Sequence, residues 1–225
     1  MSMSRITPTA QGRFGLRSSG IAMTPQQFDT APESAWDDRY RYELINGVLV
    51  VTPPVSDAEA DPNDDLGHML RTFKESHPLG GVLDRTMPER TVPGTPNRRR
   101  CNRAIWTGLG RVPDTQRDIP SIVVEFVSAQ RRDVFRDYEL KRDEYLTAGV
   151  QEYWVIDRFR RTMTVYRNGF TGPDTQVVKE TETYQTGLLP GFELPIARLL
   201  AKADDWSASK RSARKPNPPA GGTDG

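Results

Sequence analysis

The run Ser121-Ile122-Val123-Val124-Glu125-Phe126-Val127 constrains this chain more than any other stretch. It is apolar, rich in β-branched residues and without an alternating polar face, which fits a central strand covered on both sides. Glu125 interrupts it. Period two puts Val123 and Val127 on the same face as Glu125. A carboxylate buried there is costly unless it is paired, hydrogen-bonded or bound to a metal. A structural ion pair and a functional acid are both open readings. The spacing predicts a helix over 133–148, ended by Gly149 at a C′ position. Asp137, Lys141 and Tyr145 recur every four residues and share one face of it. From there Lys141 can aim its ammonium back at Glu125. A metal, a carboxylate and a lysine together can stabilise and hydrolyse a phosphodiester. An ordinary Asp137–Lys141 surface pair is the plain alternative.

The remaining elements read as mixed α/β. Pro25 after Thr24 starts a short helix. Tyr42 to Thr52 is a hairpin turned at Asn46-Gly47, because both turn residues tolerate positive φ. Asp57 to Ser76 carries Leu66, Met69, Leu70 and Phe73 at helical spacing, with Asp61-Pro62 marking a break before it. Strands are expected over 81–85, 99–106, 152–156, 163–167 and 176–183, a polar loop over 108–120, and a short closing helix over 196–201.

Hydrophobic content is 36%, low enough that part of the chain is expected not to pack. The expected division is a disordered tail over 1–22, one domain over 23–206 and a disordered basic, Pro/Gly-rich tail over 207–225. The net charge of +1 rules out a polyanion binder by bulk charge. Local clusters matter more: Arg98, Arg99, Arg100 and Arg103, then Arg131, Arg132 and Arg136. Each reads as a solvated face or as a phosphate-contacting surface. The single cysteine, Cys101, excludes a disulfide framework and a multi-Cys metal site. No apolar run reaches a membrane span, so the location expected by default is cytoplasmic. Glycine-rich phosphate loops and Ser-His-Asp arrangements are not found.

"SIVVEFVSAQRRDVFRDYELKRDEYLTAGVQEYWVID" resembles the signature of the Uma-two family, bacterial endonucleases of the PD-(D/E)XK superfamily. The matching residues are Glu125 and Ser128, then Asp137, Lys141 and Tyr145. Gly149, Val150, Glu152, Tyr153, Trp154 and Asp157 follow. "YELINGVLV" (42–50) is similar to the family's opening hairpin, and His68 matches a histidine of the next helix. The resemblance spans roughly residues 24–200. It implies a restriction-endonuclease-like core: a mixed β-sheet flanked by helices, preceded by a β-hairpin. It also implies a Mg²⁺ (or Mn²⁺) site with Glu125 and an upstream Asp as ligands, completed by a backbone carbonyl such as that of Phe126. Lys141 would act from the helix, since Val127 stands where the superfamily often has lysine. Asp137, Tyr145 and His68 would support the site.

One departure bears on activity. Ala104-Ile105-Trp106 sets the register, and Asn102 then stands where the family has its metal-binding Asp. Asn offers a neutral oxygen, and hard Mg²⁺ prefers charged ones. Either metal affinity falls, or Glu43 compensates, or the site is inactive. The leading expectation is a metal-dependent endonuclease on DNA. Its backbone phosphates would be held by Arg98, Arg99, Arg100, Arg103, Arg131 and Arg132, and two copies of the chain would cut a duplex. The second is a catalytically inactive nucleic-acid-binding protein on the same fold.

Overall fold

A computed structural model describes residues 13–94, 97–128, 136–169 and 172–213. The hairpin forms as its turn dictates: β1 (Arg41–Ile45) pairs antiparallel with β2 (Val48–Thr52). Asn46 (φ 49°) and Gly47 (φ 75°) make the turn. The preceding segment packs on it. Phe14 packs at a tilt against Trp36, the Tyr42 hydroxyl donates to the Phe14 carbonyl, and Phe14, Met23, Tyr42, Leu44, Leu49 and Val51 form a core of their own. Residues 14–22, expected in a tail, therefore belong to the packed body. The aromatic at 14 supplies apolar area that the flanking polar residues mask in composition. Helix α1 (Pro25–Thr30) lies in this segment, with Thr24 capping the Gln27 N–H.

Helix α2 (Asp57–Ser76) runs straight through Pro62 rather than starting after it. Near the helix start a proline leaves only the Ala58 carbonyl without its i+4 donor, which is a small loss. A six-stranded sheet follows: β3 (Leu83–Thr91), β4 (Arg100–Thr107), β5 (Ile122–Phe126), β6 (Glu152–Asp157), β7 (Thr162–Gly169) and β8 (Gly172–Lys179), in spatial order β3-β4-β5-β6-β7-β8. Only β5 and β6 pair parallel. Their crossover carries a π-helical turn over Arg136–Leu140 and helix α3 (Lys141–Ala148). Gly149 ends α3 at φ 106°. Two short strands, β9 (Thr183–Tyr184) and β10 (Leu194–Pro195), pair before helix α4 (Ile196–Ala213). This helix reaches past the expected 196–201 and into the segment expected as a basic tail.

Strand β5 feeds two cores, which explains its unbroken apolar run. Ile122, Val124 and Phe126 join Leu66, Leu70, Leu199 and Leu200 under α2 and α4. Val123 and Val127 join Trp106, Tyr145, Leu146 and Tyr153 under α3. Glu125 points to the α3 side with Val123 and Val127, as period two requires. Among the described residues no helix is long and apolar enough to cross a membrane.

Candidate active site

Strand register assembles the site. Arg103 pairs with Val124 between β4 and β5, and Pro88 with Arg103 between β3 and β4. Continuing both ladders by one residue sets Glu89, Asn102 and Glu125 side by side across three strands. Helix α3 leaves Lys141 and Tyr145 over this row. Lys141 Nζ donates to Glu125 Oε1 at 2.7 Å and to the Arg100 carbonyl at 3.2 Å. The Tyr145 hydroxyl donates to Glu125 Oε1 at 3.3 Å. Burial, with the Glu125 charge beside it, raises the Tyr145 phenol well above its ordinary pKa. It therefore stays a hydrogen-bond donor at neutral pH. The hairpin contributes Glu43, whose Oε1 accepts the Arg100 N–H at 2.9 Å and stands 3.7 Å from Lys141 Nζ. Glu125 and Lys141 are each 2% exposed, Asn102 3% and Glu43 6%.

Asn102 is engaged at both ends. Its Oδ1 accepts the Phe126 N–H at 2.8 Å, and its Nδ2 donates to Glu89 Oε1 at 3.3 Å. Asn63 of α2 donates to its backbone carbonyl at 2.9 Å. Asn63 also accepts from the Arg103 guanidinium, through Oδ1 at 2.8 Å and its carbonyl at 2.7 Å. Arg103 packs so closely on α2 that a Cβ on Gly67 would lie 2.6 Å from its nearest nitrogen.

A hard divalent ion needs several oxygen ligands, preferably charged. Among the described residues, no group of three His, Cys, Asp or Glu side chains is placed to hold a metal ion. Lys141 spans Glu43 and Glu125, Arg99 spans Glu43 and Glu144, and Arg41 and Arg100 converge on Glu89. Four carboxylates thus face four cations, and the one neutral oxygen at position 102 is used by Phe126. The donor set as arranged does not fit a Mg²⁺ site. Glu43, expected to offset the missing charge, sits beside Glu125 but shares its lysine.

The arginine cluster does not form one phosphate face. Arg99 is buried on Glu144 and Glu43, and Arg103 on Asn63 and Thr86. Burial pushes the Arg103 guanidinium down to about 10, still protonated at neutral pH. Arg98 is held by Asp29 through two contacts, and Arg100 reaches Glu89. Arg99 turns to Glu144 of α3 and Arg103 to Asn63 of α2, although their even spacing would put both on one face, so tertiary packing and not strand alternation assigns their partners. His68 is also displaced from the site. It is exposed on α2 and lines a cavity of about 360 Å³ with His77, Phe192 and Arg198, away from Glu125. Arg131, Arg132 and the side chain of Asp137 lie outside the described residues. Sequence reasoning missed Glu89, Arg41 and Asn63. Only Asn63 left a signal: it falls on the stripe of Leu66, Leu70 and Phe73 in α2.

Comparison with known proteins agrees with this architecture. No curated protein matches the chain. A solved structure from Anabaena variabilis, described as "a putative nuclease belonging to DUF820", superposes with a TM-score of 0.63 at 16% identity, covering 80% of this chain and 99% of that one. The Uma2 family model, described as "Putative restriction endonuclease", matches residues 25–197, which include the hairpin, Asn102, Glu125 and Lys141. With most of its length under that match, the chain belongs to the Uma2 family.

Proposed function

We propose that this chain acts on DNA as an endonuclease-family protein whose hydrolytic centre is Glu125 and Lys141, attenuated by Asn102. The supporting observation is the buried Glu125–Lys141 pair at 2.7 Å on a central strand, next to Asn102 of the neighbouring strand, which bonds the Phe126 N–H. Few structural ion pairs are placed so, because two desolvated charges rarely repay their burial with stability alone. In this reading Glu125 supplies the first carboxylate of the centre, Lys141 holds positive charge where a phosphoryl oxygen would gather negative charge, and Tyr145 orients Glu125. Asp in place of Asn102 would supply the second carboxylate that a Mg²⁺ or Mn²⁺ site needs. A duplex cut by one centre per chain calls for two copies, so a homodimer is part of the proposal.

A second reading, a DNA-binding protein without turnover, is favoured by the engaged Asn102 and by the balanced charges around it. A plasmid-nicking assay with Mg²⁺ or Mn²⁺ separates the two. The present chain should nick slowly or not at all, and Asn102→Asp should raise metal-dependent nicking. Adding Glu125→Gln or Lys141→Met to that variant should remove the gain. If Asn102→Asp stays inert at every metal concentration while DNA is still bound, the binding reading replaces the enzymatic one.

A further inference from the structure

Glu89 has no role in the centre just described, yet it is held in a conformation that needs explaining. It lies inside β3 at φ 52°. The two other non-glycine residues with positive φ among those described, Asn46 and Arg161, sit in turns. A left-handed residue in a strand costs energy and persists only where its surroundings over-determine it. Here three groups do so. Arg41 Nε lies 2.7 Å and Arg100 Nε 2.9 Å from Glu89 Oε2, and Asn102 Nδ2 lies 3.3 Å from Oε1. The arrangement is nevertheless incomplete. The Arg41 Nε–H is buried and misses hydrogen-bond geometry with any acceptor. The Glu89 side chain is 24% exposed and that of Arg100 31%, so solvent reaches this corner while Glu125 and Lys141 lie deeper.

Two guanidiniums and an amide N–H converging on one partly exposed anion form a site that suits a phosphate as well as a carboxylate. Strands stand roughly 4.8 Å apart, so the corner lies about 10 Å along the row from Glu125. A nucleic-acid strand crossing the row would meet both. We propose that Arg41, Arg100 and Asn102 form a phosphate-binding subsite, and that the Glu89 carboxylate fills it in the free protein as an internal stand-in for a backbone phosphate. Substrate binding then displaces Glu89, its strained backbone relaxes, and the phosphate satisfies the Arg41 donor. That the phosphate belongs to DNA rests on the function proposed above. The subsite itself rests only on the corner.

The test uses the full chain and two probes, inorganic phosphate by calorimetry and a short fluorescent DNA duplex by anisotropy. Glu89→Gln keeps the shape and removes the competing charge. It should bind both probes several-fold to about tenfold more tightly than the parent. Arg100→Ala in that background should cancel the gain. Glu89→Gly, which removes the carboxylate and accepts the left-handed backbone, should behave like Glu89→Gln and guards against a folding artefact in either variant. If both variants melt cooperatively but bind phosphate and DNA no better than the parent, the subsite is refuted. If the parent binds DNA meanwhile, the proposed function survives that refutation. Tighter phosphate binding with no DNA binding by any variant would uphold the subsite and overturn DNA as the ligand.

Discussion

Lys141→Met tests how the centre is held together. In the native fold its ammonium sits 2.7 Å from Glu125 Oε1 and 3.7 Å from Glu43 Oε1, with all three side chains nearly excluded from water. At an effective dielectric of about 20 the closer pair alone is worth roughly 6 kcal/mol of gross attraction. Most of that offsets desolvation, so the pair contributes little net stability. Removing one member is different, because the desolvation of the other is left uncompensated. Methionine keeps the stem packing of Lys141 and removes only the charge. The expected loss is about 3–5 kcal/mol, which for a chain of this size lowers the melting temperature by roughly 6–20 °C. Adding Glu125→Gln should recover much of the loss, since the orphaned charge disappears. Glu43 stays beside Arg99. Urea unfolding of the parent, both single variants and the double variant gives a thermodynamic cycle, read from the fluorescence of the buried Trp106 and Trp154. The expected coupling is about 2–3 kcal/mol. A Lys141→Met loss under about 1 kcal/mol, or single-variant effects that add within about 0.5 kcal/mol, would show that the two charges do not share one desolvated site.

Three further outcomes follow from the same geometry. Asn102→Asp should replace the donor to Glu89, now 3.3 Å away, with a like charge, lowering stability in chelator by about 2–4 kcal/mol. Added Mg²⁺ should restore it, and thermal melts identical with and without metal would contradict the charge argument. Gly67→Ala should destabilise by about 1–3 kcal/mol despite the roughly 1 kcal/mol gain in helix propensity, because its Cβ would lie 2.6 Å from the Arg103 guanidinium. A higher melting temperature for that variant would mean that Arg103 gives way freely. Burial, aided by the Glu125 charge, pushes the Cys101 thiol from 9.0 up to about 12. Its folded pKa is raised, so its stabilisation is complete below 9.0 and is lost as pH rises towards about 12. Cys101 should therefore resist thiol reagents at neutral pH until the chain unfolds, and Cys101→Ala should flatten the alkaline loss; rapid native labelling would refute the burial.

What the sequence determined by itself is local and periodic. Asn46-Gly47 specified the hairpin because few other pairs accept two positive φ values. The period of Leu66, Leu70 and Phe73 specified α2, and the unbroken run around Glu125 specified a doubly covered strand. Lys141 was legible because a helix leaving a strand can return only one face to it. The charged partners were not legible. Arg98, Arg99, Arg100 and Arg103 look like one cluster, but their acceptors are Asp29, Glu144, Glu89 and Asn63. None of those is specified by spacing along the chain. Glu89 was hidden for the same reason: an isolated acid in an edge strand carries no pattern. Periodicity reports which way a side chain leaves its own backbone. Which group it meets there depends on register between segments distant in sequence, so only the pairing of β3, β4 and β5 decided that Glu89, Asn102 and Glu125 stand in one row.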